Sequence, residues 1–156
     1  MNTKKNLALI KDKIYYRSLK IFPYIFQRTL YINDQIAPPT NNEIPNIVYQ
    51  TWVSKSLPER LGREVKKFRE LNKEFSFKIF SDQERDAYMK KFWSNNKIYD
   101  IYSKVLFEPC KADIFRYCII FERGGFYFDI KSGCDLPLSK FKPSNGAIIS
   151  HEASIN

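Results

Sequence analysis

EPCKADIFRYCIIFERGGFYFDI, from Glu108 to Ile130, decides how this chain folds. Pro109 stands where a helix N-terminus tolerates a residue without an N–H, and Gly124 where a helix C-terminus calls for positive φ. A helix over 109–123 is predicted between them, and a strand over Phe126–Ile130 after them. Ile114, Phe115, Tyr117, Cys118, Ile119, Ile120 and Phe121 cover most of the helix circumference, so a buried helix is expected. Asp113 and Arg116, three apart, project from the same side. On an exposed helix they would form an ordinary salt bridge worth about a few tenths of a kcal/mol. In an apolar helix such a pair is costly unless a ligand or nearby polar groups satisfy it. Side chains alternate along a strand, so Tyr127 and Asp129 share one face while Phe126 and Phe128 take the other. Asp129 thus arrives at the C-terminal end of a strand, where open α/β sheets place their ligands. The plain structural alternative is a turn or cap residue.

Working outward, NIVYQTW (Asn46–Trp52) reads as a buried strand, and 58–71 as an amphipathic helix. FSFKIF (Phe75–Phe80) reads as a second strand, and SDQE (Ser81–Glu84) matches a capping box opening another helix. A further helix is expected over 96–107, and GAIIS (Gly146–Ser150) reads as a late strand. This succession indicates an α/β fold with parallel strands. Residues 1–32 are basic and aromatic, with Leu7, Ile10, Ile14 and Ile21 at roughly helical spacing among lysines and arginines. That segment either lies on an anionic membrane surface or packs as a helix on the domain, and Pro23 ends or bends it. APPTNNEIP (Ala37–Pro45) is dense in turn formers. The expected organisation is therefore an N-terminal segment and linker over 1–43 and a domain over 44–156.

The formal charge of +9 over 156 residues favours anionic partners, although solubility alone also accounts for it. Cys110, Cys118 and Cys134 form no CxxC pair, and His151 is the single histidine, so a Cys/His zinc site lacks ligands. Scattered thiols in odd number fit a reducing compartment. The chain has no run of about 18 apolar residues, and its first residues lack the uninterrupted apolar core of a signal peptide. The expectation is a cytoplasmic protein, peripheral at the inner membrane face if residues 1–32 bind lipid. A basic nucleic-acid binder is disfavoured, because the aromatics sit in core-like runs and no nucleic-acid motif is present.

Taken together, these segments resemble glycosyltransferase family 32, the DXD-containing sugar transferases. Its members include relatives of the initiating α-1,6-mannosyltransferases and, more distantly, of the large glucosylating toxins. IPNIVYQTW (Ile44–Trp52) resembles the family's opening signature, FSFKIFSDQE its strand and following aspartate, and KADIFRYCIIFERGGFYFDIK its central block. The resemblance runs from Ile44 to about Pro137. It implies a GT-A, Rossmann-like domain that takes a UDP- or GDP-sugar donor and transfers a hexosyl group, with retention, to a glycan, lipid or surface-polysaccharide precursor. By motif, Trp52 would stack on the base with Gln50 nearby, Asp113 and Arg116 would hold donor-sugar hydroxyls, and Tyr127 would lie against the sugar and phosphate. Asp129 would be the first carboxylate of the DXD motif.

Two departures qualify that implication. Position 131, where the second aspartate would bind Mn²⁺ or Mg²⁺ beside the diphosphate, holds Lys131. Either the Lys131 ammonium itself neutralises the diphosphate, or Asp135 supplies the missing ligand through a turn at Ser132 and Gly133, or activity is lost. The chain is also shorter than the family's usual catalytic domain, so a C-terminally short enzyme and a degenerate nucleotide-sugar-binding module both remain open.

Overall fold

The computed structural model describes residues 28–39 and 44–141. The elements run β1 (Thr29–Tyr31), β2 (Ile47–Thr51), β3 (Ser56–Pro58), α1 (Glu59–Leu71), β4 (Ser76–Phe80), α2 (Asp82–Trp93), α3 (Lys97–Lys104), α4 (Glu108–Arg123), β5 (Phe126–Tyr127) and a 3-10 turn at Leu138–Phe141. The helix expected among the first residues, the bend at Pro23 and the strand at Gly146–Ser150 lie outside the described residues.

The core is a parallel three-stranded sheet in the order β4-β2-β5, with Gln50 opposite Ile79 and Tyr49 opposite Tyr127. Alternation along β2 sends Val48 to one face, where it meets Phe68 of α1 with Phe75, Phe77, Phe126 and Phe128. It sends Tyr49 to the other, into a cluster of Phe80, Tyr88, Met89, Tyr102, Phe115, Cys118 and Ile119 supplied by β4, α2, α3 and α4. Helices therefore cover both faces, as a parallel sheet requires. Among the described residues no helix is long and apolar enough to cross a membrane.

The predicted capping box forms: the Ser81 hydroxyl accepts from the Glu84 N–H, and the Glu84 carboxylate accepts from the Ser81 N–H. α3 opens on Asn96, whose side chain accepts from the Ile98 N–H, and ends at Lys104, earlier than expected. After α4 the chain turns on two glycines, Gly124 at φ 64° and Gly125 at φ 87°. A Cβ on Gly125 would lie 2.8 Å from the Ile47 carbonyl oxygen. The close approach of this turn to β2 therefore demands glycine.

Three expectations need correction. Residues 28–39, read as the end of a preceding segment and the start of a linker, take part in the domain. β1 pairs antiparallel with β3, Gln35 bridges Phe77, and Ile32 is buried with Leu57, Val65 and Ile79. A three-residue strand carries almost no local signal, and its place is set by partners distant in sequence. Second, α4 is not buried all round: Phe115, Cys118 and Ile119 face the core, whereas Tyr117 and Phe121 are 72% and 85% exposed. Packing engages only one side of the helix. Third, the ladder of β5 stops at Tyr127, and the chain turns from Asp129 to Ser132, whose N–H donates to the Asp129 carbonyl at 2.8 Å.

Candidate active site

Tyr127, the last residue of β5, lies on the α4 side of the sheet, and Asp129 follows two residues beyond it, at the C-terminal rim. From α4, Arg116 reaches over both. Its Nη2 donates to Asp113 Oδ1 at 2.5 Å and to Asp129 Oδ1 at 3.2 Å, and its guanidinium lies 5.0 Å from the centre of the Tyr127 ring. Four of the residues singled out from sequence thus converge. The Asp113–Arg116 pair, expected in a buried helix, is instead an open one, with Asp113 and Asp129 side chains 57% and 56% exposed and Arg116 32%. It sits on the uncovered part of α4.

The Tyr127 hydroxyl is 2.8 Å from Thr51 Oγ1, which ties the end of β5 to the end of β2. Burial, reinforced by the Asp129 carboxylate, pushes the Tyr127 phenol above its ordinary value, so it stays protonated at neutral pH. Thr51 was not singled out from sequence. The signal for it is the β2–β5 register, which puts the two hydroxyls at adjacent strand ends.

Trp52 follows β2 directly, its backbone N–H donating to the Phe80 carbonyl at 3.1 Å, and its ring packs partly against the cluster of Leu57, Val65, Ile79 and Ile130. Lys131 extends over that ring, Nζ 5.9 Å from its centre, within range of a cation–π attraction. The indole and the ammonium thus meet on the α1 side of the sheet, across it from the Asp113, Arg116, Asp129 and Tyr127 cluster.

Gln50 does not join them. It is 1% exposed, on the α1 side of β2 with Val48, and neither its amide nitrogen nor its oxygen has a partner among the described residues. Asp135 is exposed beyond the turn. Its neighbours Cys134 and Leu138 pack on the Phe68 cluster, and the Leu138 N–H donates to the buried Asn72 side chain at 2.7 Å. Among the described residues no three His, Cys, Asp or Glu side chains converge as metal ligands. With Asp129 held by Arg116 and Lys131 nearby, the donor set does not fit a divalent ion.

A charged cluster and an aromatic at the C-terminal rim of a parallel α/β sheet stand where open α/β domains place their ligands. The chain belongs to the family described as the glycosyltransferase sugar-binding region containing the DXD motif, whose model matches residues 58–153. It is 25% identical over 116 residues to inositol phosphoceramide mannosyltransferase 3 of Schizosaccharomyces pombe, covering 73% of this chain and 30% of that protein. It is 26% identical to mannosyl phosphorylinositol ceramide synthase SUR1 of Saccharomyces cerevisiae, covering 65% and 26%. To the initiation-specific alpha-1,6-mannosyltransferase of Candida albicans it is 32% identical, covering 55% and 24%. The chain thus spans roughly a third or less of the length of these relatives. No solved structure matches.

Proposed function

We propose that this domain is the donor-binding part of a GT-A glycosyltransferase that moves a hexosyl group, with retention, from a UDP- or GDP-sugar to a glycan or lipid acceptor. The observation that carries the reading is the single Arg116 nitrogen shared by Asp113 and Asp129 at the sheet's C-terminal rim. The names of the relatives point to mannose as the sugar, and two of them to an inositol-phosphate lipid as the acceptor.

In this reading the base stacks on Trp52, whose indole offers a large orientable face at low entropy cost. The diphosphate lies against Lys131, a compact cation that carries the countercharge usually held by a metal. Asp113 and Asp129 accept sugar hydroxyls, and Arg116, with most of its five donors unused, supplies a rigid fork to sugar and phosphate oxygens. During transfer the bond from the anomeric carbon to the diphosphate breaks as the acceptor oxygen bonds to that carbon and loses its proton. The residues at the rim act chiefly by stabilising the departing diphosphate while the sugar gains oxocarbenium character.

Activity in excess EDTA tests the Lys131 role. Retained transfer or donor hydrolysis supports it, whereas complete loss restored by Mn²⁺ contradicts it. The lysine at the DXD position also favours a second reading, a binding module without turnover. That reading predicts a donor-induced rise in Tm with no transfer or hydrolysis under any metal condition.

A further inference from the structure

Away from the strand rim, a groove of about 500 Å³ runs between α1 and the segment that follows β1. Lys66, Arg69 and Glu70, at spacings of three and four on one face of α1, line one wall together with Lys73 of the turn that follows the helix, and Tyr31 and Asn33 line the other. Arg69 is only 7% exposed. Its Nη1 donates to the Asn33 carbonyl, and its guanidinium lies 5.3 Å from the centre of the Phe77 ring. No carboxylate pairs with it among the described residues, and its Nε and Nη2 are enclosed without any partner. A buried charge left in that state is costly. Burial also lowers the Arg69 pKa, the same desolvation seen from the side of the proton. Glu70 on the groove and Asp34 beside it, whose charge acts on Arg69 although Lys55 pairs with it, subtract from the field, but the three cations Lys66, Arg69 and Lys73 outnumber them.

We propose that this groove is a second anion site, separate from the rim, that takes a phosphate group carried by a soluble ester or by a lipid headgroup. A modest rotation of the Arg69 guanidinium would give Nε and Nη2 the phosphate oxygens they lack, with Lys66 and Lys73 flanking as screened point charges. Arginine suits such a site because its planar fork matches phosphate geometry.

The test is amide NMR of the 156-residue chain titrated with inorganic phosphate, paired with co-sedimentation on phosphatidylcholine vesicles with and without phosphatidylinositol. Saturable shifts at Asn33, Gln35 and Lys73 are expected. They should weaken by about tenfold or more in Lys66→Glu/Lys73→Glu and vanish in Arg69→Met. Phosphate-driven shifts assign a soluble ligand, and phosphatidylinositol-dependent sedimentation lost in the same variants assigns a lipid. If neither probe gives a saturable, variant-sensitive response, or if Arg69→Met changes Tm without changing binding, Arg69 is structural and the proposal is overturned. No residue is shared with the rim, so failure here leaves the donor site untouched.

Discussion

Two arginines, each crowded by carboxylates, occupy opposite situations in this domain. Arg85 is 1% exposed and fully engaged. Nε donates to the Tyr102 hydroxyl at 2.9 Å, Nη1 to Asp82 at 3.0 Å, and Nη2 to Asp86 at 3.3 Å and to Glu108. It locks α2, α3 and α4 together. Arg116 is half-open and, among the described residues, uses Nη2 alone and leaves its enclosed Nε without a partner. A network whose central arginine is buried and satisfied is a fastener, whereas one with donors and carboxylate oxygens to spare at a strand rim is arranged for something that arrives later. Motif spacing alone does not separate the two, since Asp82 and Arg85 are three apart just as Asp113 and Arg116 are.

Replacing Arg85 by Met is the strongest way to break this contrast. It removes the buried cation that joins three helices, while Lys111 still faces Asp86 and Glu108 at 3.7 and 3.5 Å, and should lower unfolding stability in urea by about 2–3 kcal/mol. Asp113→Asn or Asp129→Asn should instead cost less than about 1 kcal/mol, as exposed pairs do. Each should weaken donor affinity by about tenfold or more, a shift equivalent to ~1.4 kcal/mol. An Asp113→Asn protein that unfolds would make Arg116 a second fastener. Tyr127→Phe removes the bond to Thr51 and should cost about 1 kcal/mol, with Thr51→Val similar and the double variant less than additive.

The smallest expected effect concerns pH. Burial alone would raise the Glu84 carboxyl, but the Ser81 N–H and the Lys55 ammonium at 3.0 Å outweigh it and hold it below its ordinary value. A depressed carboxyl adds stability above its unfolded pKa of about 4.3 and loses it as pH falls through the folded value. Glu84→Gln should therefore flatten the acid limb of the stability profile slightly, seen as a smaller drop in Tm between neutral and acid pH.

Much of this was legible in sequence where local chemistry decides. The capping box at Ser81 and the two glycines after α4 each fix a boundary by their own backbone needs. The shared face of Tyr127 and Asp129 followed from strand alternation. What stayed hidden depends on neighbours that spacing does not reveal. An apolar circumference says how much of α4 is able to pack, not how many partners the fold supplies, so exposure of Tyr117 and Phe121 went unforeseen. Gln50 and Trp52 alternate together, yet only the pairing of Tyr49 with Tyr127 shows that they lie across the sheet from Arg116. β1 and the buried Arg69, whose Nε and Nη2 lack partners among the described residues, emerge only from long-range packing.

The most direct measurement is calorimetric titration of the wild-type chain and of Asp129→Asn with GDP-mannose and UDP-glucose, with and without Mn²⁺. Saturable binding of one donor to the wild type, weakened by about tenfold or more in a variant whose Tm is unchanged, is the predicted result. Binding that is absent in the wild type, or equal in both proteins, would contradict the claim that the Arg116 cluster holds a nucleotide-sugar.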